Sequence, residues 1–284
     1  MASIRPALLL LTSLALYSCA KETSVEGDGS RGPALGTDCR PSQVILRDTA
    51  TRTGLFSFLT RFGTNGRANS VEAYDSVSGT SLFDFPLVYA GDTLRDLNGY
   101  FLLEASGRVR SFVTADTSGG ALQTIRYDYT YDANGYLSKK ELFSSLLPLN
   151  TPLVRFTYTW AGQNLTAVEG RIVVVGFERM LFKSALEYDP SQTVKNFLPV
   201  FPEAAEATLS IMALDLGKKS RNLLKQIKTS TYNDAGMVDE TLTTMISDPY
   251  FSSDGYLLEC TVSGDEPASL PLFVGRNVFR YHCR

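Results

Sequence analysis

The sequence predicts an all-β protein, built mainly from antiparallel hairpin repeats that form a curved sheet, a half-barrel or a barrel, with one inserted helix near 202–216. Three observations support this. Aromatic and polar residues alternate in short segments, a glycine-containing turn recurs between such segments, and one Ala- and Leu-rich segment interrupts the series. Alternation with a period of two is the pattern of a strand that buries one face.

Two segments show the strand pattern most clearly. Residues 126–131 read RYDYTY and residues 155–160 read RFTYTW, so both carry aromatic side chains at every second position. Aromatic and β-branched residues are enriched in strands. The same criteria predict further strands at 43–47, 55–62, 99–104, 109–114, 172–177, 180–188, 226–232 and 277–283.

A four-residue turn that ends in glycine follows several of these strands. The tetrapeptide DANG at 132–135 has Asp first and Gly fourth, as type I turns prefer, and the spacing recurs at 63–66, 104–107, 233–236 and 252–255. Apolar residues flank each turn in the pairs Phe62/Ala68, Leu103/Val109, Tyr131/Leu137, Tyr232/Val238 and Phe251/Leu257. A three-residue loop with a left-handed glycine places each pair face to face, so we predict this loop type. At 160–168 the spacing is kept with Asn164 in the glycine position.

Residues 202–216 break the hairpin pattern. The segment begins with Pro202 and Glu203 and is followed by Gly217, which is the arrangement found at helix ends. Its Ala and Leu residues favour a helix. We therefore expect a helical insert over 196–225 within a single β-rich domain, 39–284.

The N-terminal residues resemble the leader of a bacterial lipoprotein. Arg5 precedes an apolar run at 7–16 that is too short to span a bilayer, and residues 16–19, LYSC, resemble a lipobox. We expect 1–18 to be a signal peptide, Cys19 to carry the lipid, and 19–38 to be a flexible tether rich in Gly and charge. An ordinary secretory signal is the alternative. A lipid anchor at Cys19 indicates the outer membrane and leaves the periplasmic or cell-surface side open.

Three cysteines remain after Cys19. An oxidising compartment favours one disulfide among Cys39, Cys260 and Cys283. We prefer Cys260–Cys283, because the last two strands should be neighbours, with Cys39–Cys283 nearly as well supported.

The sequence contains little that indicates chemistry. The net charge of −3 provides no attraction to nucleic acid, and His282 is the only histidine, so we expect no nucleic-acid partner, metal or cofactor. None of the common nucleophile, metalloprotease or phosphate-loop motifs occurs. Calcium needs about 6–8 oxygen ligands, whereas Asp132 is the only carboxylate of its loop, so that loop is interpreted as a turn. We expect no enzymatic activity.

The aromatic stripes are the main candidate binding feature. Tyr127, Tyr129, Tyr158 and Trp160 lie on the same face of their strands by spacing. This face either belongs to the core or lines an open concave surface that could hold a glycan or small ligand. Exposure of these rings distinguishes the two interpretations.

The lipobox, the tether, the strand–turn motifs of the form Y-x-Y-D-x-x-G-x-L and the segment 217–227 together resemble a group of uncharacterised Bacteroidota lipoproteins. The hairpins also resemble the YD repeats of large secreted toxins. The resemblance implies a porin-like β fold and no assigned activity, and it supplies no catalytic residues. We therefore expect a non-catalytic interaction or structural module of the envelope, with an envelope protein or glycan as partner; a glycan- or small-ligand-binding surface lipoprotein is the alternative.

Overall fold

The computed structural model of the protein describes residues 31–51, 53–95, 99–116, 123–147, 151–174, 176–197, 214–265 and 274–283. In this part of the chain the strands are β1 (Cys39–Arg47), β2 (Gly54–Phe62), β3 (Ala68–Asp75), β4 (Ser81–Pro86), β5 (Val88–Ala90), β6 (Thr93–Arg95), β7 (Gly99–Leu103), β8 (Val109–Asp116), β9 (Gln123–Tyr131), β10 (Leu137–Ser144), β11 (Val154–Ala161), β12 (Asn164–Val174), β13 (Phe177–Thr193), β14 (Asn222–Tyr232), β15 (Val238–Phe251), β16 (Leu257–Gly264) and β17 (Gly275–Cys283). Among the described residues, no helix has the length and apolar character needed to cross a membrane.

All seventeen described strands belong to one antiparallel sheet that curls into a nearly closed barrel. Each strand pairs with its neighbour in the chain from β1 to β4 and again from β5 to β17, while β4 and β5 are joined through the buried Leu87. The first and last strands, β1 and β17, also pair along their length. The predicted all-β class is therefore confirmed, in its barrel form.

A disulfide lies where the barrel closes. Cys39 and Cys283 are directly opposite each other at the end of the β1–β17 ladder, and their sulfur atoms are bonded. The prediction of a Cys260–Cys283 bridge was wrong, because Cys260 stands opposite Asn277, several residues along β17 from Cys283. Cys260 is a buried free cysteine, and its burial raises the pKa of the thiol.

The predicted hairpin register is confirmed at all five loops. The flanking residues pair as Phe62 with Ala68, Leu103 with Val109, Tyr131 with Leu137, Tyr232 with Val238, and Phe251 with Leu257. In the 132–135 loop, the Asp132 N–H donates to the Tyr136 carbonyl at 2.8 Å, and Gly135 has a φ of 86°. Each hairpin also has a one-residue shift in its ladder next to the flanking pair, so every copy bends in the same way.

Side chains at the first turn position explain why three of the five loops begin with Asp, Asn or Ser. The Oδ1 atom of Asp132 accepts the N–H groups of Asn134 and Tyr136, each at 2.9 Å. Asn233 does the same in its own loop, and the Ser252 hydroxyl accepts the Tyr256 N–H. The Asp132 carboxylate therefore stabilises a turn, as the sequence predicted.

Two sequence predictions about turns were wrong. Trp160 pairs with Leu165 across a two-residue turn whose left-handed residues are Gly162 and Gln163, so Asn164 does not take the glycine position. Strand β12 ends at Val174, and Phe177 begins β13 rather than ending a strand over 172–177. At 162–163 the left-handed Gly162 and Gln163 permit a tighter turn than the repeat spacing suggested, and Gly176, also left-handed, lies between the end of β12 and the start of β13.

The two faces of the barrel wall differ in chemistry. Outward-facing side chains form ion-pair ladders across neighbouring strands: Glu141 lies 2.8 Å from Lys139 and 2.9 Å from Arg155, and Glu169 lies 2.9 Å from Lys183. Inward-facing side chains form one apolar cluster that extends around the sheet. The alternation is what a sheet with one buried face requires.

One end of the barrel is crossed by residues 214–221, which we call the strap. This end, the strap rim, also holds Cys39, Cys283 and the turns β2–β3, β7–β8, β9–β10, β11–β12 and β15–β16. The strap carbonyl of Asp215 accepts the Val109 N–H at 2.9 Å, and the strap N–H of Lys218 donates to the Gly135 carbonyl at 2.9 Å. The strap thus links successive hairpins.

The predicted helix is not supported within the described chain. Residues 202–213 lie outside the described residues, and 214–216 are extended, with Asp215 bridged to Arg108. Leu214 and Leu216 are both buried, two residues apart, in the barrel core. This burial and the pairing with the β7–β8 hairpin outweigh the helix propensity of leucine. The insert is also shorter than predicted, since β14 begins at Asn222.

The end of the predicted tether is bound to the strap rim. The Gly32 N–H donates to the Phe251 carbonyl, and the Gly32 carbonyl accepts the Ser253 N–H, both at 2.7 Å. The Asp254 carboxylate accepts the N–H groups of Leu35 and Gly36. A hydrogen bond from the Ser252 hydroxyl, together with these N–H groups, lowers the pKa of Asp254 to about 2. Residues 1–30, including the predicted signal peptide and Cys19, lie outside the described residues.

Loss of the disulfide is expected to destabilise the barrel. Cys39→Ser should lower the free energy of unfolding by ~2–5 kcal/mol, because the bridge joins residues 244 apart in sequence and restricts the unfolded chain. Cys260→Ala, the control, should lower the free energy of unfolding by less. Denaturant unfolding measures both effects, and peptide mapping that finds a Cys260–Cys283 bridge would contradict the assignment.

Candidate functional site

The strap rim contains a cavity of about 1000 Å³. Its wall combines the start of β1, the β9–β10 and β11–β12 turns, the end of β13 and the strap. The lining residues are Asp38, Arg40, Pro41, Asp132, Asn134, Tyr136, Trp160, Ala161, Gly162, Gln163, Val194, Asn196, Leu214, Asp215, Gly217, Lys218, Lys219, Ser220 and Arg221. Cavities that hold small ligands typically enclose about 300–1000 Å³, so this space is large enough for one.

Two aromatic rings line the cavity. Trp160 at the end of β11 and Tyr136 in the β9–β10 hairpin contact each other with ring centroids 4.5 Å apart. The indole N–H of Trp160 donates to the Leu137 carbonyl at 2.7 Å, which fixes the ring relative to the neighbouring hairpin. The Lys218 ammonium lies 5.4 Å from the centroid of Tyr136. The rings are held in place by the indole hydrogen bond and by their contact with each other.

The strap approaches the hairpins so closely that Gly217 is required. Its φ is 85°, and a Cβ atom there would lie 2.6 Å from the Gly135 carbonyl oxygen and 2.9 Å from the Tyr131 ring. Tyr131 in turn donates its hydroxyl to the Val109 carbonyl at 2.7 Å. Burial is the main reason that the pKa of Tyr131 is raised, so the hydroxyl remains a donor.

Asn164 and Ser220 attach the far end of the strap. The Asn164 Oδ1 atom accepts the N–H groups of Arg221 and Asn222, each at 3.0 Å. The Ser220 hydroxyl accepts the Leu165 N–H at 3.1 Å and lies 2.9 Å from the Tyr188 hydroxyl. These hydrogen bonds, most of them partly buried, hold the far end of the strap beside the β11–β12 turn.

Four basic side chains line the cavity, against three acidic ones. Arg40 comes from β1, and Lys218, Lys219 and Arg221 come from the strap. The Lys219 side chain is half-buried, and its desolvation lowers the pKa of the ammonium to about 8; Asp215 opposes this shift and Arg40 adds to it. A cation that loses hydration in this way interacts more strongly with an anion than an exposed one does.

Two of the carboxylates that line the cavity accept hydrogen bonds from backbone N–H groups of turns. Asp132 accepts two turn N–H groups through Oδ1, as described above. The Oδ1 atom of Asp215 accepts the Gly217 N–H at 2.9 Å. These two acids therefore shape the loops that carry Tyr136 and the strap.

The aromatic residues predicted from sequence have different positions. Tyr129 and Tyr158 are buried in the core, at 6% and 5% exposure, which rules them out as an open platform for a sugar. Tyr127 is half-buried and packs on the core beside Phe112. The buried Lys140 ammonium lies 4.3 Å from the Phe156 ring and 5.4 Å from the Tyr127 ring, so the stripe surrounds a cation inside the barrel. Trp160 alone of the four predicted residues lines the cavity.

Sequence reasoning missed the strap. Residues 217–221 read GKKSR, a basic run that follows a glycine in a chain of net charge −3. This contrast in charge was the feature of the sequence that could have indicated a functional segment. The pattern could not show that this run crosses three hairpins, because the contacts join residues far apart in sequence.

The fold has counterparts among solved structures. A porin-like protein from Bacteroides uniformis aligns at 13% identity with a TM-score of 0.55, covering 85% of this chain and 98% of that one. A porin-like protein from Bacteroides vulgatus aligns at 12% identity with a TM-score of 0.53, covering 86% and 99%. At these identities the likeness concerns the fold alone, and it agrees with the expected porin-like β fold.

The other comparisons do not assign the protein to a family. A match to the Tc holotoxin pore of Photorhabdus luminescens covers 75% of this chain at a TM-score of 0.22, too low to support an argument. The sequence matches no protein-family model and no curated protein.

Substitution of Gly217 is expected to move the strap. Gly217→Ala should destabilise the protein by more than Gly79→Ala, which should cost only the ~1–2 kcal/mol of a left-handed alanine. Gly79 has a φ of 68° with no atom within 4 Å of the added Cβ, so it is a matched control. Trp160, the single tryptophan, should become more accessible to acrylamide quenching in the Gly217 variant. Equal effects of the two substitutions would contradict the close approach.

Proposed function

We propose that this protein is a non-catalytic binding module of the cell envelope, held at the outer membrane by a lipid on Cys19, with a glycan or a similar small ligand bound in the strap-rim cavity. The observation that carries the proposal is the preformed cavity, where Trp160 and Tyr136 meet polar side chains. Aromatic rings provide large contact areas at low entropic cost, and amides provide oriented hydrogen bonds.

The amide groups suit recognition of hydroxyl-rich molecules. Asn134, Gln163 and Asn196 line the cavity together with Ser220. Each amide offers both donors and acceptors. Asn196 is oriented by its own bond to the Cys39 carbonyl at 2.9 Å. This combination of rings and amides favours a sugar over a purely apolar ligand.

The ion-pair ladders on the outer face support a water-facing barrel wall. A charged side chain on a lipid-facing barrel wall costs ~2–4 kcal/mol near the bilayer midplane. Several such side chains lie on β9–β13, including Arg155 and Lys183. Attachment through a lipid on Cys19 accounts for membrane association without placing this wall in lipid.

Removal of the predicted anchor should release the protein. Cys19→Ala is expected to abolish incorporation of labelled palmitate and to shift the full chain out of the outer-membrane fraction, because no acyl chain can then be attached. Cys260→Ala should leave both labelling and fractionation unchanged. Retained labelling in the Cys19 variant would contradict the anchor.

Ligand binding should depend on the cavity rings. The full chain, purified in detergent, is screened on a glycan array, and binding of each hit is followed through Trp160 fluorescence. Tyr136→Ala should weaken binding by about tenfold, as expected when an aromatic ring that contacts the ligand is removed. Tyr100→Ala, at a tyrosine that is 37% exposed and does not line the cavity, is the control.

Two results would count against a binding role. If no glycan changes Trp160 fluorescence, the cavity is not a glycan site and the structural-module alternative is favoured. If the two tyrosine variants bind equally well, the ligand occupies another surface.

A further inference from the structure

Four basic side chains converge on one cavity of an acidic protein. The chain has 27 Lys and Arg against 30 Asp and Glu, yet the cavity is lined by four basic residues, Arg40, Lys218, Lys219 and Arg221, against three acidic ones. Three of the four basic residues lie in the strap, within four consecutive positions. The local charge of the cavity is therefore opposite to that of the whole chain.

These cations differ from those of the barrel wall. On the wall, cations such as Arg155 and Lys183 are paired with glutamates at 2.9 Å. None of the four cavity cations has an ion pair within the described residues, and Lys218 instead faces the Tyr136 ring. Of the four, Lys219 is partly buried, whereas Arg40, Lys218 and Arg221 are exposed. A cation that no carboxylate of the described residues pairs with is available to the negative charge of a ligand.

None of the three cavity carboxylates, Asp38, Asp132 and Asp215, forms an ion pair with these cations within the described residues. Asp132 and Asp215 each place one oxygen on turn N–H groups. Asp215 does face Lys219, and its charge raises the pKa of that ammonium. The positive charge of Arg40, by contrast, lowers the pKa of the Lys219 ammonium. The site is consequently able to accept further negative charge.

Resting on the proposed function, we propose that the ligand of the strap-rim cavity is an acidic saccharide, whose sugar ring contacts Trp160 and Tyr136 and whose carboxylate or sulfate group is bound by Lys219 and Arg221. The rings and the strap cations line the same cavity, so one ligand can reach both. A charged acceptor forms stronger hydrogen bonds with cationic donors than a hydroxyl does, so the acidic group determines specificity.

Matched saccharides test the charge preference directly. Trp160 fluorescence of the full chain in detergent is titrated with a glucuronic-acid-containing disaccharide and with its neutral glucose counterpart. A sulfated disaccharide, and inorganic sulfate alone, provide two further arms. We expect the acidic disaccharides to bind at least tenfold more tightly than the neutral one and than inorganic sulfate, and added NaCl to weaken only the acidic ligands.

Charge-removing variants locate the acidic group. Lys219→Gln and Arg221→Gln should each lower the affinity for the acidic disaccharide by about tenfold and leave the affinity for the neutral one unchanged. Lys228→Gln, at an exposed wall position outside the cavity, is the control and should have no effect. Thermal unfolding of each variant checks that the fold is retained.

The pH dependence gives a second readout. Lys219 should lose its proton as the pH rises through about 8, so acidic-disaccharide affinity should fall between pH 7 and 9. Lys219→Gln should remove this dependence, whereas Arg221→Gln should keep it.

The outcomes separate the two proposals. Equal affinity for acidic and neutral disaccharides, with no effect of Lys219→Gln or Arg221→Gln, would overturn the acidic preference and leave glycan binding intact. Inorganic sulfate binding as tightly as the disaccharides would overturn the contribution of the sugar ring. A Trp160 signal that responds to no saccharide would overturn both.

Discussion

Pairing of β1 with β17 closes the sheet, and the remaining architecture depends on this closure. An open sheet of this size would expose two edges with unpaired N–H and C=O groups, whereas a closed one satisfies them internally. The Cys39–Cys283 bridge covalently joins the two strands at the strap rim. Because the ends of the domain meet there, the start of β1 becomes part of the cavity wall.

The repeated hairpin contributes to closure of the sheet. Each copy places two flanking side chains on the inner face and bends the ladder by one residue, and repetition of that bend curves the sheet. Four of the five hairpins point to the strap rim, and in these the residue after the turn is buried: Ala68, Val109, Leu137 and Leu257. At the opposite rim the equivalent Val238 is 54% exposed.

The strap converts a structural rim into a candidate binding site. Its backbone is held by turns whose conformation is set by glycine and by Asp or Asn side chains, so its basic residues need not contribute to folding. Lys218, Lys219 and Arg221 are thereby left to face the cavity while Leu214 and Leu216 secure the segment in the core. Within this short segment, the buried leucines pack in the core and the basic residues line the cavity.

The sequence by itself determined the all-β class, the hairpin register at the five loops and the role of Asp132, because these depend on neighbouring residues and on a period of two. Only the tertiary structure decided the disulfide partner of Cys283, the extended form of 214–216 and the burial of Tyr129 and Tyr158. The reason is physical: each depends on which distant strand lies alongside. Trp160 illustrates the division, since its alternation predicted an inward or concave face, and only the fold showed that the stripe enters a cavity at its last residue.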